Sequence, residues 1–415
     1  MKQTTALDIM LTGANVFLTG APGAGKTYVL NQFIKAAEEQ GRAVAITAST
    51  GIAASHLNGV TIHSWSGLGI SEAVTKYDLQ KLENNSRVVK RYKKTDVLVI
   101  DEISMLHGHR LDMINLVAKT LRKNNRPFGG LQVVLVGDLF QLPPVTRGSS
   151  VFDFAHESTA WQELAPKVCY ITEQHRQAGT DELLDILQAM RQNTVTDGHR
   201  GRLQQRVGAQ VPADTVLTRL YSHNVDVDDL NQGFLAKLPG EFKKFDMTSG
   251  GDQYKVEQLK KQVLAPETLL LKVNAEVMFV ANNFQAGFVN GTRGRVLKFT
   301  KAGEPIVKMT SGRVVTVEPH SWKIQEDDRT LAEVTQVPLR LAWAITIHKS
   351  QGMSLDAALI DLGQAFTPSM GYVALSRVRS LDGLYLLGLN DMALAMHDSI
   401  YEFDAQLLQA SEGVA

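Results

Sequence analysis

Scarcity narrows the reading first. The chain carries a single cysteine, Cys169, in 415 residues, so neither an intrachain disulfide nor a cysteine zinc cluster is available and a disulfide-framed secreted fold is excluded. Charge of one sign is missing too, with 43 Lys and Arg against 43 Asp and Glu. That balance excludes a protein that coats nucleic acid or an anionic membrane through bulk attraction, and any such site must be local. No apolar stretch approaches the roughly 18 residues of a membrane span, and the N-terminal residues contain no continuous apolar run of the kind an export signal needs. Repeats and low-complexity tracts are absent as well. The expectation is a cytoplasmic protein with no membrane partner. What is present is an ordinary globular composition, 44% hydrophobic and 21% charged, enough at about 150 residues per domain for two or three domains.

Four short apolar runs, 16–18, 43–46, 97–100 and 133–136, alternate with longer amphipathic segments, the pattern of buried parallel strands joined by helices. The segment 110–123 sets Leu111, Ile114, Val117 and Leu121 on one helical face before Gly129 and Gly130 break the chain. Between 67 and 95 the apolar pattern weakens while Arg87, Lys90, Arg91, Lys93 and Lys94 accumulate, which reads as an exposed insertion. A second α/β unit is expected from about Ile171. It would use a helix carrying Leu183, Leu184, Leu187 and Met190, with strands at 216–218, 341–345, 357–360 and 384–387. From 264 to 337 the texture changes to short strands punctuated by Gly291, Gly294, Gly303 and Gly312, a small inserted β-barrel. The polar stretch 237–261 reads as a mobile connection.

The chemistry sits at the ends of the apolar runs. Gly20, Ala21, Pro22, Gly23, Ala24, Gly25, Lys26 and Thr27 have phosphate-loop spacing directly between a strand and a helix, with Tyr28 following. Backbone N–H groups can turn inward on phosphates there, Lys26 adds a cation and Thr27 can ligate Mg2+. Asp101 and Glu102 close a later apolar strand, where parallel sheets place ligands. Asp101 suits the Mg2+ shell, and Glu102 suits orientation and deprotonation of an attacking water. Gln141, in the run Gly137 to Pro144, suits a γ-phosphate sensor because its amide both donates and accepts. Arg176 and Arg377 are candidates to offset transition-state charge. Thr47, Ser49, Thr50, His63 and Ser64 offer hydroxyls, a ring and backbone N–H groups for gripping sugar-phosphate. His348, ahead of Gln351 and Gly352, follows a strand and suits phosphate or nucleic acid.

In this order these segments resemble the Pif-type DNA helicases, the petite integration frequency family, which is related to RecD-like and Dda-like enzymes of superfamily one. The most specific part runs from Ile103, Ser104, Met105 and Leu106 through 121–130 to Gln141, Leu142, Pro143, Pro144 and Val145. The resemblance implies two RecA-like parallel-sheet domains of the P-loop NTPase class, with residues 1–170 forming the first and 171–263 with 338–415 the second. It also implies a wedge insertion near 69–94 and an inserted SH3-like barrel over 264–337 carrying Val289, Asn290, Gly291, Thr292, Arg293 and Gly294. By the same resemblance Gln3 reads adenine, and Gln141, Arg176, Gln351, Gly352 and Arg377 surround the γ-phosphate. DNA contacts fall on Thr47, Ser49, Thr50, His63, Ser64, Pro144, Asn224 and His348. Two departures stand out: Gln3 has a shorter lead than is common in the family, and His175 replaces a frequent phenylalanine.

The implied activity is ATP-driven, 5′-to-3′ translocation on single-stranded DNA with unwinding of forked or structured DNA, G-quadruplexes among them, using ATP and Mg2+. Replication, recombination, repair and telomere maintenance are the implied settings, with a monomeric protein that is nucleoid-associated if bacterial. The residues by themselves leave two other classes open. One is a DNA-stimulated translocase or clamp that does not unwind. The other is a small-molecule kinase built on the phosphate loop, which predicts no second RecA-like unit.

Overall fold

The computed structural model describes residues 1–57, 59–69, 71–144, 153–173, 182–212, 217–283, 285–288, 291–326, 329–353 and 355–414. The chain forms two compact units, residues 1–209 with 362–415 and residues 210–361.

The first unit is built on a six-stranded parallel sheet of β1 (Val16–Gly20), β2 (Val44–Ala48), β3 (Val60–Thr61), β4 (Val97–Asp101), β5 (Gln132–Val136) and β6 (Lys167–Ile171). Its strand order is β3-β2-β4-β5-β1-β6, and Val16 lies opposite both Val134 of β5 and Lys167 of β6. Every residue of β1 and β5 is buried, because a sheet covered on both faces has no wet side. That is why these strands read as continuous apolar runs. The helix Lys26–Glu39 turns Val29, Leu30, Phe33, Ile34 and Ala37 inward, where they join Val16, Leu18, Val99 and Val134 in one core.

Several expectations change in this unit. The segment near Ile171 is the edge strand β6, paired with β1 throughout. Residues 182–209 and 362–415, expected in the second RecA-like domain, group with the first unit, although the strand expected at 384–387 forms at Leu384–Leu389 and continues the sheet of the strands Ala344–Thr346, Thr218–Tyr221 and Ala358–Leu362. Polar side chains tie them there: Arg191, at the end of the helix Glu182–Arg191, bonds Asp138 and the Tyr170 hydroxyl. The insertion after Gly67 holds two helices, Lys76–Asn84 and Ser86–Lys94, and it is not wholly exposed. Leu82, Val88 and Tyr92 are buried, Tyr92 lies against Trp65 with ring centroids 4.5 Å apart, and Arg91 donates to the carbonyls of Ser64 and Trp65.

The second unit contains parallel strands β7 (Thr218–Tyr221), β18 (Ala344–Thr346) and β19 (Ala358–Leu362), with β7 between the other two. Asn231, on the helix Asn224–Lys237, clamps Ala344 by accepting from its N–H and donating to its carbonyl, both at 3.0 Å. Between these strands come β8 (Lys243–Asp246), β9 (Thr248–Gly251), β10 (Thr268–Leu271), β11 (Glu276–Phe279), β12 (Arg293–Phe299), β13 (Pro305–Met309), β14 (Val314–Thr316), β15 (His320–Glu326), β16 (Arg329–Gln336) and β17 (Leu339–Leu341). Five of them form an antiparallel sheet in the order β14-β13-β12-β11-β17, whose inner face buries Val277, Phe279, Val296, Val307 and Leu339.

The stretch 237–261, expected as a mobile connection, is ordered. It supplies β8, β9 and most of the helix Gln253–Gln262, and it is held because Val256 and Leu259 pack on Ala332 and Val334 of β16. The strand expected at 341–345 is two strands. Leu339–Leu341 pairs antiparallel with β11 and Ala344–Thr346 pairs parallel with β7. An unbroken apolar run cannot show where a chain changes partners.

Candidate nucleotide site and nucleic-acid contacts

The strand order builds the site. β5 lies between β1 and β4, and all three run parallel, so their carboxyl ends share one edge. That edge brings the phosphate loop after β1, the acid pair after β4 and Asp138 to Gln141 after β5 together, with the last segment central.

In the phosphate loop Gly20, Gly23 and Gly25 take φ of 143°, 83° and 89°, conformations that L side chains rarely adopt. A side chain at Gly20 would also meet the Ile171 carbonyl oxygen at 2.6 Å. Gly25 opens the helix in the left-handed region. The Lys26 ammonium donates to the Gly20 and Ala21 carbonyls at 2.7 and 3.2 Å. Burial pulls its pKa down, while the charges of Asp138, Glu102 and Asp101 pull the other way. Thr27 and Tyr28 are exposed at the helix start. Gln3 is positioned by this loop, its side-chain amide donating to the Ala24 carbonyl at 2.9 Å and its backbone N–H to Glu173 Oε2 at 2.8 Å.

Glu102 sits at φ 51°, a left-handed conformation in a residue that is not glycine. Such strain persists only where the surroundings enforce it. Here the Glu102 N–H donates to Asp101 Oδ1 and the Glu102 carbonyl accepts from Ser49 Oγ, each at 2.8 Å. Burial, and then the neighbouring Glu102 charge, push the Asp101 pKa up. A carboxylate so placed favours a cation beside it. Gln141 is buried and its Oε1 has no hydrogen-bond partner among the described residues, a polar atom left for something that enters the site.

Sequence reasoning missed the group that anchors this edge. Arg191 donates to Asp138 Oδ1 at 2.7 Å, to the Tyr372 hydroxyl at 2.9 Å and to the Tyr170 hydroxyl at 2.5 Å, and it stacks on Phe140 at 4.4 Å. Tyr372 donates to Asp138 Oδ2 at 3.0 Å. Burial alone would raise the Asp138 pKa, but Arg191 and Lys26 together hold it below the usual carboxylate range. Asp138 lies within the motif around Gln141, and that was the one available signal. Nothing near Arg191 in the chain marks it.

Among the proposed nucleic-acid contacts, Thr47 is corrected. It is fully buried and its hydroxyl donates to the Val99 carbonyl at 2.6 Å, so it serves the sheet. Ser49 is buried, with its hydroxyl on Glu102, and Pro144 is buried too. Thr50 Oγ1 accepts from the Ala53 N–H at 3.2 Å at the start of the helix Gly51–His56. His63 is half-buried, and burial pushes its pKa down to about 4. Ser64 is exposed.

Arg377, grouped with the first unit, is buried and donates to the Val373 carbonyl at 3.0 Å and to Ser376 Oγ at 2.7 Å. In the second unit His348 is half-buried with its pKa lowered by burial, Gln351 is buried, and Gly352 is exposed with φ 80°. Asn224 begins its helix. Arg176, like His175, Val145, Val289 and Asn290, lies outside the described residues.

Comparison with known proteins agrees with this geometry. Residues 2–199 match the PIF1-like helicase family, and residues 256–299 match the 2B domain of DNA helicase Pif1. The ATP-dependent DNA helicase Pif1 of Psychrobacter sp. is 45% identical over 95% of this chain and 69% of its own length. Vertebrate relatives are covered over 62–64% of theirs. The crystal structure of the Candida albicans Pif1 helicase superposes with a TM-score of 0.89 at 35% identity, over 98% of both chains. A Bacteroides Pif1 in complex with ADP-AlF3 and single-stranded DNA superposes at 0.77 and 29% identity, over 99% of this chain and 98% of that one. With a phosphate loop, an acid pair and a buried glutamine on one sheet edge, and likeness to these proteins along nearly all of its own residues, the chain belongs to the PIF1-like helicase family.

Proposed function

We infer that this chain is an ATP-dependent DNA helicase, an enzyme that hydrolyses ATP, and we propose that it moves 5′-to-3′ on single-stranded DNA and opens forked or structured duplexes. The observation that carries the reading is the shared edge of β1, β5 and β4, where Lys26, Gln141 and the strained Glu102 converge on the place a triphosphate would occupy.

In this scheme the loop N–H groups and Lys26 bind the β- and γ-phosphates. Glu102, fixed by Ser49 and by Asp101, orients the attacking water and takes its proton. Gln141 reports the γ-phosphate, while Arg377 and Arg176 offset the charge that develops during transfer. Gln3, beside Ala24, reads the adenine, and Gln351 and Gly352 are assigned to the γ-phosphate by the family resemblance alone. The hydroxyl of Thr27 and the carboxylate of Asp101 are hard oxygen donors of the kind Mg2+ takes, and the raised Asp101 pKa favours a cation there. When bound, Mg2+ supplies neutralisation of phosphate charge. His63, Ser64, Thr50, Asn224 and His348 are proposed to grip the DNA strand, the helices Lys76–Asn84 and Ser86–Lys94 to act as the wedge, and the strands within 264–337 to form the SH3-like barrel. A cytoplasmic monomer is the working form proposed.

The test is strand displacement on forks bearing only a 5′ or only a 3′ tail, measured beside ATP turnover with and without DNA. Unwinding restricted to 5′-tailed forks with DNA-stimulated turnover is expected. Stimulated turnover without displacement would identify a translocase or clamp, and turnover indifferent to DNA would end the helicase reading.

A further inference from the structure

The loop before the helix Gly108–Arg122 reads His107, Gly108, His109, and no step of the proposed ATP chemistry uses it. The two imidazoles lie with ring centroids 5.2 Å apart. Asp153 faces both: its Oδ2 is 3.7 Å from His107 Nδ1 and in short contact with His109 Nδ1. One donor atom from each of the three residues lies within 4.8 Å of the other two. None of the three residues is deeply buried, so an ion has a way in.

We propose that His107, His109 and Asp153 form a binding site for a divalent transition metal, with Zn2+ as the fitting ion. Two imidazoles and one carboxylate form a donor set that zinc takes, leaving a fourth position for water. The surroundings fit as well. A ligating histidine commonly directs its other ring nitrogen at a carboxylate, which fixes the tautomer. His109 Nε2 lies 3.3 Å from Glu72 Oε2 but has no hydrogen-bond partner among the described residues. Glu72 is an exposed side chain, 82% accessible, that can turn to accept from that nitrogen once Nδ1 is committed to a metal. The backbone is already arranged, since the N–H groups of Gly108 and His109 donate to the Asp153 carbonyl and Oδ2 at 3.0 and 3.2 Å. An ion here would fasten Asp153 to the start of the helix that follows the acid pair.

The rival account is that Asp153 does no more than cap this helix, and the experiment separates the two. The untagged full-length chain, stripped with chelator, is titrated with ZnCl2 against a chromogenic competitor, and Co2+ is added separately to read the visible absorption of a tetrahedral site. One Zn2+ per chain is expected, with affinity falling by more than about tenfold when either ligand class is removed. His107→Asn with His109→Asn removes the imidazoles. Asp153→Asn keeps an acceptor for the helix N–H groups while weakening the ligand, so it should keep the metal-free unfolding temperature but lose the stabilisation by Zn2+. Absence of stoichiometric binding in the parent chain, or equal binding in the variants, would overturn the assignment.

Discussion

Replacing Arg191 with methionine should be among the most damaging single changes in the first unit, and the magnitude follows from its surroundings. Its guanidinium is 2.7 Å from Asp138 Oδ1, with the two side chains 9% and 0% exposed. Methionine keeps most of the stem volume and so leaves little cavity, but it takes from the Asp138 carboxylate the cation it is hydrogen-bonded to and leaves only the charge of Lys26 to offset it. Removing one partner of a buried pair costs about 3–5 kcal/mol, mostly the penalty of an uncompensated charge. The assay is urea unfolding followed by tryptophan fluorescence in a Trp322→Phe, Trp343→Phe background, which leaves Trp65 and Trp161 as reporters on the first unit. Asp138→Asn keeps a side chain able to bond Tyr372 and Arg191. The double variant Arg191→Met, Asp138→Asn should therefore lose clearly less than the two single losses combined. The pH dependence has a definite sign. A carboxylate whose folded pKa lies below its unfolded value adds stability above the unfolded pKa, and this is lost as pH falls through the folded one. Arg191→Met should flatten that acid limb. A loss below about 1 kcal/mol, or strictly additive variants, would refute the reasoning.

Four further outcomes are expected. Glu102→Gln keeps shape but removes the base, so nucleotide binding should persist while ATP turnover falls about a hundredfold or more, read by comparing binding and steady-state hydrolysis. Of the basic residues in the insertion, Lys90, Lys93 and Lys94 are exposed whereas Arg91 holds the carbonyls of Ser64 and Trp65. Changing the three lysines to alanine should weaken fork unwinding more than single-strand ATP turnover, and Arg91→Ala should lower the unfolding temperature instead. His156, stacked on Phe403 with centroids 4.1 Å apart, is held neutral by burial with its pKa near 4. Its contribution to stability is present above the unfolded pKa of about 6.5 and is lost as pH falls toward 4, so His156→Phe should flatten the stability profile between pH 6.5 and 5. Finally, with no net charge to attract DNA, binding to single strands should rest on a handful of phosphates. The logarithm of affinity against the logarithm of salt should then have a slope of roughly −2 to −4, and a much steeper slope would point to an extended basic face.

What the sequence determined by itself is local and periodic. The apolar runs of β1, β4 and β5 are legible because strands buried on both faces need apolar side chains at every position. The phosphate loop is legible because Gly20, Gly23 and Gly25 must take backbone conformations that other residues avoid, and the acid pair because it ends an apolar strand. Tertiary structure decided the rest, where the deciding partner lies far along the chain. Only the strand order puts β5 between β1 and β4 and so sets Gln141 between Lys26 and Glu102. Thr47 has the composition of a phosphate contact but lies inside the sheet, because Val99 on the neighbouring strand offers its hydroxyl an acceptor. The residues 237–261 look polar enough to wander, yet they fold because β16 presents Ala332 and Val334 to Val256 and Leu259. Arg191 and Asp138, which are 53 positions apart, carry no shared local pattern. A buried charge is stable only beside its counter-charge, and folding alone brings that counter-charge within reach.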